Sequence, residues 1–167
     1  VFLQHIPIIG NLSVAILCGI VIYIPQILQT GFKWDNNFNL HECNTELLVI
    51  FSMLFTLARE LIKDVEDLKG DQKTNSNTIA VAFGVRISKI LIISVFFTSF
   101  LILIYSCFMT PITINSLCFF IPTIVITGLL IFKSIKSNSR DAFTKLSKLV
   151  KIQFFTATVW LYFEVLL

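Results

Sequence analysis

Five apolar runs alternate with polar segments along the chain; the first, third and fourth have the length that a helix needs to cross a membrane, and the second and fifth are shorter. The predicted membrane-spanning helices cover residues 8–28, 46–68, 87–108, 112–132 and 152–167. The second differs from the others because its apolar part ends at Ala58 and charged residues follow. We expect that helix to project beyond the hydrocarbon. The pattern predicts an all-α polytopic membrane protein.

The charged stretch, residues 59–71, carries acids at helical spacing. One stripe of a continuous helix would hold Glu60, Asp64, Asp67 and Asp71. Like charges one turn apart repel by a few tenths of a kcal/mol, so a cation is expected on that stripe. Carboxylate oxygens suit Mg²⁺, which typically takes one or two of them together with phosphate oxygens of a substrate.

Within this stretch each residue receives a provisional role from its position. Asp67 and Asp71, one turn apart, are the predicted metal ligands, and their spacing lets both side chains reach one cation. Arg59 and Lys63 flank the stripe and are candidates to bind phosphate oxygens. A site of this kind at a lipid boundary favours a substrate with a diphosphate head and an apolar tail.

Composition and charge support a membrane protein. The chain is 56% hydrophobic and 14% charged, whereas soluble domains carry about 25% charged residues. The segments after the second and fourth predicted spans hold nearly all the Lys and Arg, and the opposite side holds Lys33 alone. The positive-inside rule therefore predicts that the acidic stretch faces the cytoplasm. We expect a multi-pass protein of the plasma (inner) membrane. Anionic lipid, not nucleic acid, is the expected partner of these cations.

Three other interpretations compete with a metal-diphosphate site. The charged stretch is a solvated helix end if nearby lysines pair with its acids. A cation-binding channel or transporter segment would place acids at mid-membrane depth, but here they lie at a boundary. A CDP-alcohol phosphotransferase-like enzyme would show a D-G-x-x-A-R pattern, which this sequence lacks.

The run from Arg59 to Asp71, R-E-L-I-K-D-V-E-D-L-K-G-D, followed by T-I-A-V from Thr78 and by Phe83-Gly84, resembles the second aspartate-rich motif of the UbiA-type membrane prenyltransferases. The form is most similar to the archaeal-type geranylgeranylglyceryl-phosphate geranylgeranyltransferase branch, whose motif reads R-E-I-x-K-D-x-E-D-x-x-G-D, then T-L-P-V and F/Y-G. The Pro7-Ile8-Ile9-Gly10-Asn11 stretch is similar to the family's loop before its fifth helix.

This resemblance implies a nine-helix bundle of which the chain would form helices five to nine. It implies Mg²⁺-dependent transfer of an isoprenyl group from its diphosphate to a lipophilic acceptor, such as a prenylglyceryl phosphate or an aromatic quinone precursor. Asp67 and Asp71 fall on the family's metal positions and Asp64 and Glu60 on supporting positions of the catalytic cluster. Arg59, Lys63 and Asn11 fall on its substrate-binding positions.

The chain also departs from the family pattern. The first aspartate-rich motif, N-D-x-x-D-x-x-x-D, does not occur in residues 1–167, and the chain opens on Val1. We therefore expect a C-terminal part that needs the family's N-terminal helices and is inactive alone. Gln4 stands where a lysine is common, Ala80 where the family has Pro, and Asn75 where a loop Gly is common.

Overall fold

The computed structural model of the chain describes residues 7–30, 40–74, 76–109 and 114–166, and all the regular secondary structure in these ranges is helical. The helices are α1 (Pro7–Thr30), α2 (Leu40–Glu66), α3 (Leu68–Lys73), α4 (Ile79–Met109), α5 (Ile114–Lys136) and α6 (Arg140–Leu166). Gln4, Lys33 and Asn75 lie outside the described residues. The predicted all-α fold is confirmed for the part of the chain described.

Helix α2 occupies the centre of the bundle, because it packs against α1, α4 and α6, while α5 packs against α4 and α6. Its buried side chains recur every three or four residues: Phe51, Phe55, Ala58, Ile62 and Val65. That spacing lines one face of a helix, and burying it fixes the rotation of α2 about its axis. The charged end of α2 is thereby held in a defined orientation.

Phe55 is the contact point between three helices. Its ring centroid lies 6.3 Å from that of Phe96 on α4 and 5.9 Å from that of Phe154 on α6. Both pairs are tilted, an arrangement that aromatic quadrupoles favour. These contacts join α2, α4 and α6 below the charged end.

Close packing between α1 and α2 depends on two small residues. Ala15 and Gly19, four residues apart, are both buried where α1 meets α2. A Cβ at Gly19 would lie 2.6 Å from Met53 Cγ and 3.3 Å from Val49 Cγ1. Small residues at this spacing allow helices to approach closely in membranes, and the approach brings the start of α1 against the charged end of α2.

A sharp bend divides α4 near its start. Gly84 has φ 82° and ψ 163°, a conformation essentially reserved for glycine. The residues before it, Ile79–Phe83, form a short helical piece, and the long apolar helix follows. The backbone conformation therefore explains the glycine of the Phe83-Gly84 pair in the sequence motif, since another residue could adopt this bend only with strain.

Three helices begin well before the membrane spans that the hydropathy pattern predicted, and one of them is α4, which starts at Ile79 where the span was predicted from residue 87. Helix α2 starts at Leu40, six residues before the span predicted from residue 46. Helix α6 starts at Arg140, twelve residues before the predicted span. In this first part of α6, Phe143, Leu146 and Val150 are buried while the intervening lysines are exposed. This first part of α6 is thus an amphipathic helix. Its lysines lower the average hydropathy of the segment, so the average does not show its apolar face.

Length and apolar composition single out one helix of the described residues, Ile79–Ser106, as able to cross a membrane, with a mean hydropathy of 2.4. A shorter apolar helix covers Ile8–Ile24.

Candidate functional site

The helical path breaks at Asp67, in the middle of the acidic stretch. Helix α2 ends at Glu66 and α3 begins at Leu68, while Asp67 itself has φ −93° and ψ 2°. The Asp67 amide still donates to the carbonyl of Lys63 at 2.9 Å, so the break is confined to Asp67 itself. The four acids therefore do not lie on one uninterrupted stripe, which corrects the geometry expected from spacing alone.

Asp64 is the best connected of the four acids. Its Oδ2 accepts a hydrogen bond from Asn11 Nδ2 of α1 at 2.7 Å. The backbone N–H of Ile79, the first residue of α4, also donates to its carboxylate. One side chain thus joins three helices whose sequences are far apart.

The electrostatics around Asp64 show which acids are neighbours. Asp64 lies in the charged end of α2, past the apolar run that ends at Ala58. Burial raises the pKa of its carboxyl, and the charges of Asp71 and Glu60 act in the same direction. The hydrogen bonds from Asn11 and Ile79 lower this pKa, but burial has the larger effect. Glu60 and Asp71 therefore lie close enough to Asp64 for their charges to raise its pKa.

Asp67 and Asp71 retain the spacing of one helical turn. The Asp71 amide donates to the Asp67 carbonyl at 3.0 Å, and Asp67 is exposed while Asp71 is partly buried. The Asp67 side chain makes no capping hydrogen bond to α3. Among the described residues, neither carboxylate forms an ion pair with a lysine or arginine. Both remain available to a cation, contrary to the interpretation in which lysines neutralise every acid.

The two cations nearest the stripe behave differently. Arg59 Nη1 lies 2.8 Å from Glu60 Oε1, so Arg59 already forms an ion pair with Glu60, the first of the four acids. Arg59 is 42% exposed and Glu60 17% exposed. Lys63 is exposed. An ion pair with one exposed partner contributes little to stability, so Arg59 can exchange Glu60 for another anion at small cost.

The carboxylates fit Mg²⁺ by donor chemistry. In the described part of the chain, no three His, Cys, Asp or Glu side chains are grouped so as to hold a metal ion by themselves. Mg²⁺ does not need such a cage, because it keeps several waters and uses one or two carboxylates with phosphate oxygens. Asp67 and Asp71 can supply those two carboxylates.

One feature of the site lay outside the sequence prediction. Thr78 precedes α4, and its carbonyl accepts from the Ala82 amide at 2.9 Å, as expected at a helix start. Its hydroxyl oxygen is buried and finds no hydrogen-bond partner among the described residues. In the sequence Thr78 opens the T-I-A-V run, but nothing in that pattern indicates that its hydroxyl would be buried.

The turn between α5 and α6 lies at the same end of the bundle as the acids. Lys89, near the start of α4, donates to Asn138 Oδ1 of that turn at 2.9 Å. The basic residues on either side of the turn are exposed: Lys133, Lys136, Arg140, Lys145 and Lys148. Acidic site and basic surface therefore share one end of the helices.

Comparison with known proteins agrees with this arrangement. A model of the UbiA prenyltransferase family matches residues 1–159. The digeranylgeranylglyceryl phosphate synthase of Methanosphaera stadtmanae is 28% identical over 90% of this chain and 52% of its own length. The enzyme of the same name from Pyrococcus furiosus is 29% identical over 94% of the chain and 52% of its own length. The chain thus spans about half the length of these relatives. No solved structure matches it significantly.

Proposed function

Because the chain belongs to the UbiA prenyltransferase family, we propose that it carries the second acidic region of a membrane enzyme that transfers an isoprenyl group to a lipid acceptor. The observation that carries this proposal is the hydrogen bond between Asn11 and Asp64 at one end of an apolar bundle, where the charge of Asp71 also acts on Asp64. A charged head and an apolar tail of one substrate would find suitable surroundings on either side of that boundary.

The proposed architecture is a nine-helix bundle to which this chain contributes five membrane helices. In this arrangement α1, α2, α4, α5 and α6 cross the membrane. The end that holds the acids and the basic α5–α6 turn faces the cytoplasm, because cationic segments are retained there. The plasma (inner) membrane is the proposed location. The remaining helices of the complete enzyme would supply the first aspartate-rich motif.

In the proposed site, Asp67 and Asp71 present carboxylate oxygens to Mg²⁺, which would neutralise negative charge on the departing diphosphate. The two carboxylates are suited to this because they are accessible and unpaired among the described residues. Lys63 lies about one turn and Arg59 about two turns before Asp67, where each can donate to phosphate oxygens. Phe51 and Phe55 belong to the apolar core beneath the acids, from which water is excluded.

For the acceptor, we propose a glycerophosphate that already carries one geranylgeranyl chain. The support is the name of the relatives, digeranylgeranylglyceryl phosphate synthase, which identifies their product. An isoprenyl donor of the same length, geranylgeranyl diphosphate, follows from that name. An aromatic quinone precursor is the alternative acceptor.

The experiment that tests this function uses the complete enzyme in detergent with radiolabelled geranylgeranyl diphosphate. Geranylgeranylglyceryl phosphate and 4-hydroxybenzoate are offered separately, each with Mg²⁺ and with EDTA. We expect label in a lipid product only with the glycerophosphate and only with Mg²⁺. Transfer to the aromatic acid instead would change the acceptor, and full transfer in EDTA would remove the metal from the proposal.

A further inference from the structure

The segment that carries the two proposed metal ligands packs only lightly against the rest of the bundle. Helix α3 has six residues, none of them fully buried, and Leu68 is half-buried against the core. The position of this segment, residues 67–78, therefore depends strongly on its two ends: the end of α2 before it and the start of α4 after it. Any contact that ties these two ends together controls where Asp67 and Asp71 lie.

Asp64 makes that contact. It lies on the last turn of α2, and its carboxylate accepts the backbone N–H of Ile79 at the first turn of α4. The first N–H groups of a helix have no partner within the helix, so a carboxylate there is favoured by hydrogen bonding and by the helix dipole. The side chain therefore closes the 67–78 segment at its base.

Asn11 supplies a second constraint from a different helix. Its Nδ2 donates to Asp64 Oδ2 at 2.7 Å across 53 residues of sequence. With donors from α1 and from α4, the carboxylate has a fixed orientation between them. Asn11 is thus directed at Asp64, although the sequence placed it among residues that bind substrate.

We propose that Asn11 and Asp64 form a positioning pair, in which Asn11 orients Asp64 and Asp64 closes the segment bearing Asp67 and Asp71, and that neither side chain contacts the diphosphate. This inference deepens the proposed function and rests on it only for the activity measurement. It assigns to both residues a role different from the substrate-binding and catalytic roles expected from sequence.

The test exchanges the two side chains in the double variant Asn11→Asp with Asp64→Asn. The amide introduced on α2 can donate to the carboxylate introduced on α1, and the carbonyl oxygen of that amide can still accept from Ile79 N–H. Both hydrogen bonds are then restored, with the negative charge moved from α2 to α1. A ligand of metal or substrate would not survive the exchange, whereas a positioning pair would.

The first readout needs neither substrate nor metal. Lys69 and Lys73 are exposed in the 67–78 segment, and trypsin cleaves there when the segment opens locally. In the complete enzyme without Mg²⁺ or diphosphate, we expect Asn11→Ala and Asp64→Ala each to speed this cleavage about tenfold, because each leaves a half-buried polar group unsatisfied. The exchanged pair should return to within about threefold of the native rate.

The second readout is kcat/KM for the diphosphate, which we expect to follow the same order: low in each single variant and recovered in the exchanged pair. The matched control is Asn138→Ala, which removes the Lys89–Asn138 hydrogen bond at the same end of the bundle and should change neither readout by more than about twofold. Size-exclusion chromatography shows whether each variant folds, and Asn11→Ser replaces Asn11→Ala if that one does not.

Recovery of protease resistance without recovery of kcat/KM would mean that the Asp64 carboxylate or the Asn11 amide contacts metal or substrate, and would overturn the proposal. Failure of the exchange to restore protease resistance would also overturn it. If the enzyme used neither acceptor, the proposed function would fail, but the cleavage rates would still decide whether the pair closes the segment.

Discussion

Gln153 of α6 donates a hydrogen bond from its Nε2 to Thr127 Oγ1 of α5, 3.0 Å away, and a second to the carbonyl of Thr123 at 3.1 Å. All three residues are fully buried. The amide oxygen of Gln153, by contrast, finds no partner among the described residues. The cluster thus combines two favourable contacts with one unsatisfied acceptor.

We expect Gln153→Leu to change the free energy of unfolding by less than about 1 kcal/mol, because helix–helix hydrogen bonds in membranes average about 0.6 kcal/mol and an unsatisfied oxygen is removed as well. Gln153→Glu should destabilise by about 3 kcal/mol if the acid stays charged. Denaturant unfolding in detergent measures both. A loss well above about 2 kcal/mol in Gln153→Leu would show that the amide oxygen has a partner, such as a bound water.

The bend at Gly84 gives a second prediction. Alanine there must adopt φ 82° and ψ 163°, which costs about 1–3 kcal/mol. The substitution should also reduce turnover, because the bend sets the direction of the short piece that begins at Ile79. The matched control is Gly128→Ala in α5, where a Cβ meets nothing within 4 Å and alanine should be neutral or stabilise by up to about 1 kcal/mol. Equal effects of the two substitutions would contradict the account of the bend.

Close approach of α1 and α2 gives a third prediction. A Cβ at Gly19 would lie 2.8 Å from Met53 Sδ as well as against Met53 Cγ. Gly19→Ala should destabilise by about 1 kcal/mol, at the low end for overpacking because the methionine is flexible. With Met53→Ala already present, the same change should cost almost nothing, which a double-mutant cycle measures. Additive effects would show that the two residues do not contact each other.

The sequence predicted the class of fold and the acidic end of α2 because both depend on local patterns. Apolar runs and the thirteen-residue motif need only neighbouring positions to be recognised. The family identified from that motif is confirmed by the match over residues 1–159. The apolar part of the second run was expected to end at Ala58. In the structure Ala58 is fully buried, directly before the charged end of α2.

Features that depend on residues far apart in the sequence, or on segments in which apolar and charged residues alternate, were not predicted. Helix α6 extends twelve residues before the span predicted from residue 152, because exposed lysines lower the average hydropathy around Phe143 and Leu146. The break at Asp67 was missed because periodicity assumes an uninterrupted helix. The contact of Asn11 with Asp64 joins helices 53 residues apart, and periodicity carries no information about such pairs. The roles of Asp67, Asp71, Arg59 and Lys63 stay predictions.

The central claim is that Asp67 and Asp71 persist as unpaired acids because Mg²⁺ and diphosphate neutralise them. The most direct measurement is Mg²⁺-dependent turnover of the complete enzyme with Asp71→Ala, compared with Asp141→Ala, which removes an exposed acid at the start of α6. We expect Asp71→Ala to lower kcat/KM by more than about 100-fold, beyond the usual loss for a residue that only supports a metal ligand, and Asp141→Ala to leave it within about twofold. Turnover that survives Asp71→Ala, and also Asp67→Ala, would contradict the account.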